Sequence, residues 1–382
     1  MKKHLLSVAI LGTFAGAAYA QSSVTLYGLV DAGVNYINND NGKSNWTMTL
    51  GLLQGNRFGL KGAEDLGGGT KAIFQLENGF TGGGALAQGG RLFGRQAWVG
   101  VTNDRYGAIT MGRQYDSVVD YVQPLSGIVY TGLAHPFDND NLDNSFRVNN
   151  SVKFTSANYG GFKFGGMYAF SNTSSTDTGS GFATNRLWSA GASYTQGQVS
   201  LGAGYLHLNA PNANTTGAIS GDYINVTTTS PLHAAGLASA VIREDIAAAA
   251  ATWQLAAVKL GFLYSHSKYT SVNDSLKFDN YGMSANWQIT PFAYLSGNYT
   301  YTDGKQDSKG LKPKYHQVEL IGDYFLSKRT DVYLLGAFQR AAGDATVASI
   351  APDTYGAGGS SAPDASTSRS QVLVRLGMRH KF

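Results

Sequence analysis

The chain has 382 residues, among them 49 Gly, 22 Tyr, 8 Pro and no Cys, with 14% charged residues and a net charge of +4. The missing cysteines exclude a disulfide framework, a thiolate metal site and a cysteine nucleophile. So small a charge, two units of it on Lys2 and Lys3, gives no footing for nucleic-acid binding.

At the N-terminus, Lys2 and Lys3 precede the apolar stretch 5–18, and Ala18-Tyr19-Ala20 reads as a cleavage site before Gln21. The stretch is short for a bilayer span, so a removable leader over 1–20 is expected, not an anchor. Residues 21–382 then form one domain. The Ala-rich run 246–258, broken by Thr252 and Gln254, falls below the roughly 20 apolar residues of a helical span. If the mature chain enters a membrane, it must do so as a closed barrel, which also satisfies every backbone polar group in lipid.

Period-two alternation runs along the chain. Val24, Leu26, Val30, Val34 and Tyr36 oppose Thr25, Tyr27, Asp31 and Asn35; Phe162, Phe164, Tyr168 and Phe170 oppose Lys163 and Gly165. Val258, Leu260, Phe262 and Tyr264 oppose Lys259, Gly261 and Ser265; Tyr281, Met283, Trp287 and Ile289 oppose Ser284, Asn286 and Gln288. Val318, Leu320, Tyr324 and Leu326 oppose Gln317, Glu319 and Asp323. In the final segment Val372, Val374, Leu376, Met378 and Phe382 oppose Gln371, Arg375, Arg379 and Lys381, with Leu373 the one apolar exception on the polar face. That face is expected to turn Arg375 and Arg379 toward water.

Each segment has about the ten residues of a tilted membrane strand. A soluble β-sandwich would also alternate. Aromatics near strand ends (Tyr27, Tyr36, Tyr159, Tyr264, Tyr294, Tyr301) favour the membrane barrel, as does the Gly-, Ser- and Asn-rich polar face. Short connections at 65–69, 103–107, 158–161, 196–198, 290–292 and 327–330 alternate with long ones at 38–45, 82–91, 122–146, 171–185, 210–243, 267–276, 303–314 and 343–369. The expected fold is all-β: a transmembrane antiparallel barrel of roughly sixteen strands, with short periplasmic turns and long extracellular loops, wide enough for an aqueous channel. Stretches 213–230 and 345–368 read as surface loops. Residues 232–257 read either as a short helix or as a loop followed by a strand of small residues.

Six motifs stand out: Gln21-Ser-Ser-Val-Thr-Leu-Tyr-Gly-Leu-Val-Asp-Ala-Gly33, Asn56-Arg-Phe-Gly-Leu-Lys-Gly-Ala-Glu-Asp-Leu-Gly67, Phe93-Gly-Arg-Gln-Ala-Trp-Val-Gly100, Met111-Gly-Arg-Gln-Tyr115, Arg147-Val-Asn-Asn-Ser-Val-Lys-Phe154 and Val374-Arg-Leu-Gly-Met-Arg-His-Lys-Phe382. Together they resemble the general diffusion porins of Gram-negative bacteria, trimeric proteins, and their β-proteobacterial branch above all. The resemblance implies a sixteen-stranded homotrimeric barrel whose third loop folds inward, here about 116–146. It implies a basic wall facing acids on that loop. The wall falls on Arg57, Arg113 and Arg147, with Lys61 and Lys153 sharing lumen-facing parity; the loop acids are Asp116, Asp120, Asp138, Asp140 and Asp143. The loop tip departs from the family, with Gln123-Pro-Leu-Ser-Gly127 where an acid is usual. Arg113 shares parity with the lipid-facing Ile109 and Met111, so either a bulge at Gly112 re-aims it or it lies beyond the membrane edge.

The implied function is passive diffusion of ions and small hydrophilic solutes across a Gram-negative outer membrane. The implied partners are outer-membrane lipid and lipopolysaccharide, the outer-membrane assembly machinery and the transported solutes, without cofactor or nucleic acid. A substrate-selective channel and a β-rich surface adhesin are the alternatives. An enzyme is not expected: the seven His lack metal-ligand spacing, the Gly triplets 67–69 and 82–84 do not join strand to helix, and no G-x-S-x-G elbow occurs. Phe382 matches the family's terminal assembly signal. Deleting it should lower the yield of inserted barrel more than the conductance of those that insert; unimpaired assembly would contradict this.

Overall fold

The computed structural model describes residues 22–174, 183–211, 213–223, 226, 231–350 and 364–382. The leader and its cleavage site lie outside them, as do parts of the expected loops 171–185, 213–230 and 345–368. In chain order the strands are β1 (Ser23–Asp40), β2 (Lys43–Leu50), β3 (Arg57–Gly67), β4 (Thr70–Gly79), β5 (Gln96–Asn103) and β6 (Gly107–Gln114). Next come β7 (Val148–Ser156), β8 (Phe162–Ala169), β9 (Arg186–Gln196), β10 (Val199–Asn209), β11 (Arg243–Leu255) and β12 (Val258–Thr270). The last are β13 (Ser275–Thr290), β14 (Ala293–Gln306), β15 (Pro313–Phe325), β16 (Thr330–Gly343) and β17 (Ser370–Lys381).

All pair antiparallel in one sheet. β1 pairs with β2 along its later half, from Ala32, and with β3 along Ser23–Leu29. These two segments are therefore halves of one stave, broken at 51–56, and the barrel has sixteen staves. β17 closes on β1 from Leu29↔Lys381 to Ile37↔Leu373. The seam extends one residue further, where Gly28 and Phe382 exchange backbone hydrogen bonds of 2.9 and 3.0 Å. The Phe382 ring lies over Gly28, where a Cβ would meet its Cζ at 2.2 Å.

The alternation sorts side chains as an inside-out protein. Trp46, Met48, Val99, Met111, Phe262, Met283, Leu334 and Leu376 are exposed on the outer face, whereas Asn35, Ser151, Ser265, Asn280, Thr300 and Gln317 are buried inside. Only a bilayer makes such an outer surface favourable. Among the described residues no helix is long and apolar enough to cross a membrane.

Several boundaries differ from expectation. The supposed long loop 38–45 is a hairpin closed on Asn41-Gly42, both at positive φ (51° and 91°). That is the Asn-Gly pairing a type I′ turn requires. β12, β13 and β14 continue into the expected loops 267–276 and 303–314. Both readings of 232–257 hold a part, since a short helix at Pro231–Ala234 precedes the Ala-rich β11.

The segment between β6 and β7 runs inside the barrel. Asp116 caps the helix Ser117–Tyr121 by accepting from the Val118 and Val119 backbone N–H groups. This helix lies against β9 and β10 so closely that a Cβ on Gly202 would stand 2.2 Å from the Tyr121 carbonyl oxygen. Further along, Gly132, with φ +67°, abuts the Leu53 carbonyl in the broken stave, where a Cβ would be 2.0 Å away. Val118, Val122, Phe137, Leu142 and Phe146 bury themselves against inward-facing Leu187, Leu206, Leu208, Leu276, Phe278 and Tyr315. The lumen face is thus apolar at these positions, while Ser189, Ser265, Asn280 and Gln317 hydrogen-bond the segment elsewhere. Leu373 belongs to a second such cluster, with Leu53, Leu133 and Leu335.

Candidate functional site

The uncovered wall gathers arginines. The break at 51–56 places Arg57 at the head of β3, half-buried, its Nε donating to the Gly55 carbonyl at 2.9 Å. At the end of β4, Glu77 accepts from Arg95 Nε (2.8 Å), the Tyr27 hydroxyl (2.9 Å) and the Tyr115 hydroxyl (3.1 Å). Arg95 also donates to Tyr115 at 3.2 Å.

Gly112, at φ 137°, stands where the β6–β7 register shifts. A bulge there reverses the parity of the next side chain, and Arg113 points inward. Its Nε donates to the Gly94 carbonyl (2.7 Å), Nη1 to Asn149 Oδ1 (2.6 Å) and Nη2 to Asp222 Oδ2 (2.5 Å). Asp222 comes from the β10–β11 connection and is fully buried. It also accepts from Arg91 Nη1 (2.5 Å) and the Arg147 backbone N–H (3.1 Å). Arg147 itself donates from Nη1 to the Ser145 carbonyl at 2.9 Å.

Arg57, Arg113 and Arg147 are therefore brought into one cluster, joined by Arg91 and Arg95, with Arg95 acting electrostatically on both Arg57 and Arg147. Five guanidiniums face two carboxylates, Glu77 and Asp222. Among the described residues no carboxylate lies within ion-pair distance of the Arg57 or Arg147 guanidinium. Lys61 stands apart, its Nζ 5.4 Å from the Tyr27 ring centre. Lys153 is paired instead, donating to Asp120 at 2.7 Å and to the Tyr115 carbonyl at 3.0 Å.

The loop acids hold the segment together. Asp116, buried, caps its helix and accepts from Asn141 at 2.9 Å; burial pushes its carboxyl up to about 6. Asp138 accepts from the backbone N–H groups of Asp143 (2.9 Å) and Ser145 (3.2 Å), and burial beside Asp143 and Asp140 raises its pKa. Burial would also raise Asp140, but His135 at 2.6 Å and the Ser265 hydroxyl hold it below the usual carboxylate range. Asp120 is part-exposed and Asp143 exposed.

Arg375 corrects another expectation. It does face inward, but it is fully buried, not in water. It donates to Tyr333 (2.7 Å), Asn35 (2.9 Å) and Thr49 (2.9 Å) and pairs with Asp31 at 3.3 Å. Arg379 lies between Asp323 (3.3 Å) and Asp331 (2.9 Å).

Sequence reasoning passed over Arg91, Arg95 and Asp222. Arg95 lies within a quoted motif but precedes the alternating part of its strand, and Asp222 lies in an aperiodic stretch. Asp222 removes one charge from the wall, and a unit charge about 5 Å from an ion in water is worth about 0.8 kcal/mol. Asp222→Asn should therefore raise the chloride-to-potassium permeability ratio about fourfold in 0.1 M salt, read from zero-current potentials. An unchanged ratio would mean that Asp222 does not act on the pore.

A profile of the Gram-negative porin family matches residues 7–364. An outer membrane porin of Bordetella pertussis is 33% identical over 89% of this chain and 94% of its own. Outer membrane porin protein 32 of Delftia acidovorans is 29% identical over the whole of both chains. Among solved structures, an anion-selective porin from Comamonas acidovorans superposes with a TM-score of 0.74 at 24% identity, covering 95% of this chain and 100% of that one.

Proposed function

This chain belongs to the Gram-negative porin family and forms an outer-membrane channel for passive diffusion, and we propose that its arginine wall makes that channel prefer anions. The observation that carries this reading is the excess of guanidinium over carboxylate at Arg57, Arg91, Arg95, Arg113 and Arg147, with no carboxylate among the described residues in ion-pair distance of Arg57 or Arg147. The inward segment 116–146 narrows the lumen opposite that wall. Arg57 and Arg147 supply the net field, Arg113 and Arg95 shape the wall, and Lys153 anchors the segment through Asp120. Asp116, Asp138 and Asp140 set the segment's conformation, while Asp120 and Asp143 are its acids in touch with solvent. The channel carries out no reaction.

The same reading has the leader 1–20 removed, Phe382 presented to the assembly machinery and three copies associating. The uncharged outer face of β1 and β2, with Val34, Trp46 and Met48 exposed, suits contact between copies. The trimer rests on the family resemblance, and an outer membrane protein of Vibrio cholerae with a similar fold is described in a trimer form.

Liposome swelling tests the diffusion reading against a substrate-selective channel. Neutral sugars should enter at rates that fall smoothly with size, and a small organic anion faster than a cation of equal size. A sharp preference for one chemical class would overturn it.

A further inference from the structure

The arginine wall is one half of a ring, and the inward segment is the other half. Both ends of that segment's first arc are tied to the cluster. At its start the Tyr115 hydroxyl accepts from Arg95 at 3.2 Å. At its far end Gly132 abuts the Leu53 carbonyl, in the same break whose Gly55 carbonyl accepts from Arg57 at 2.9 Å. Between these ties the arc crosses the inner face of β12, β13 and β14. A Cβ on Gly261 would lie 3.6 Å from the Leu125 carbonyl oxygen, and one on Gly127 would lie 3.0 Å from Ser284 Cβ and 2.2 Å from Asn298 Oδ1. With β2 and β3 counted as one stave, β5 is the fourth of sixteen and β13 the twelfth, so the two face each other across the lumen.

The two halves differ in chemistry. No charged side chain occurs from Tyr121 to Ala134. Ile128 is buried, but Pro124 and Val129 are exposed, Val129 by 47%, and Leu125 and Tyr130 are half-buried beside them. A side chain left exposed on a segment that runs inside a barrel is exposed to the lumen. The segment's acids in touch with solvent lie outside this stretch, Asp120 on Lys153 at 2.7 Å and Asp143 further along. An apolar patch facing water and opposed by a few charged groups is the usual make-up of a small-molecule site.

We propose that this two-sided ring discriminates among anions, an inference that rests on the anion preference set out above. It favours small organic carboxylates with an apolar body, the carboxylate turned to Arg57 and Arg147 and the body lying on Pro124, Val129 and Tyr130. Covering about 55 Å² of apolar surface, at about 25 cal/mol per Å², makes about a tenfold preference. A hydroxylated anion of the same skeleton and charge meets the guanidiniums without that gain. Neutral solutes are not held by the wall, so the passage of sugars stays governed by size.

Block of the chloride current through the barrel in planar bilayers tests this with three probes: cyclohexanecarboxylate, quinate (the same ring and carboxylate bearing hydroxyls) and neutral cyclohexanol. In 0.1 M potassium chloride, cyclohexanecarboxylate should halve the wild-type current at about a tenth of the concentration that quinate requires. Cyclohexanol should not block at either concentration. In Pro124→Ser/Val129→Thr the gap between the two anions should shrink at least threefold; both side chains are exposed, so the variant should fold. Equal block by the two anions in an anion-preferring wild type overturns this inference and leaves the anion preference standing. A gap that the variant keeps, or block by cyclohexanol as strong as by the carboxylate, also overturns it. A wild-type zero-current potential of the cation-preferring sign would instead remove the underlying reading, and this inference with it.

Discussion

Replacing Arg57 and Arg147 together by Gln should lower the chloride-to-potassium permeability ratio about fifteenfold in 0.1 M salt. These are the wall guanidiniums without a carboxylate in ion-pair distance, so no carboxylate in the cluster loses an ion pair when they go. Each charge about 5 Å from a passing ion contributes about 0.8 kcal/mol in water, and 1.4 kcal/mol is a factor of ten. Salt sharpens the prediction. The Debye length is about 10 Å at 0.1 M and about 3 Å at 1 M, so the variant and the wild type should converge as salt rises. Conductance at 1 M should stay within about twofold, because Gln is no larger than Arg. Equal selectivity of the two proteins at 0.1 M would remove Arg57 and Arg147 from the pore.

Asp31→Ala should be the most destabilising single change, by about 3–5 kcal/mol. Asp31 and Arg375 are both fully buried, and removing one member of a buried pair strands the other's charge. The loss extends further, because Asp31 also accepts from the backbone N–H groups of Leu53 (2.9 Å) and Gln54 (3.2 Å) and from the Tyr333 hydroxyl. These bonds shape the broken stave at 51–56, against which Gly132 of the inward segment rests. The variant should therefore lose its heat-resistant folded band in detergent at a clearly lower temperature and show noisier single-channel current. Replacing both partners by apolar residues, as in Asp31→Leu/Arg375→Met, should recover the part of the loss that comes from the stranded Arg375 charge but not the part that comes from the Leu53, Gln54 and Tyr333 donors. If Asp31→Ala alone unfolds at the wild-type temperature, the buried pair is not what holds the stave.

How much of this was legible in the sequence depended on whether a signal was local. Alternation is, and it placed the strands, the outward face and the closing segment to Phe382. Turn chemistry is also local. Asn41-Gly42 was in plain view, yet the polar residues around it made a long loop the easier reading. The inward turn of Arg113 needed a conformation only Gly112 supports, which the breach in parity pointed to. What could not be read was pairing across distance. Nothing near Asp222 says that it meets Arg91 and Arg113, residues more than a hundred positions away. The lumenal Leu187, Leu206 and Leu208 look misplaced until a segment of β6–β7 is laid over them. Arg375 looked water-facing because its strand parity was right while its neighbour Asp31 lay at the other end of the chain.

The zero-current potential of the wild-type channel in a planar bilayer, across a tenfold gradient of potassium chloride with 0.1 M on the high side, tests the basic wall most directly. The wall described here predicts a potential of the anion-preferring sign that shrinks when both solutions are raised toward 1 M. A potential of the cation-preferring sign, or one that does not respond to salt, would contradict it.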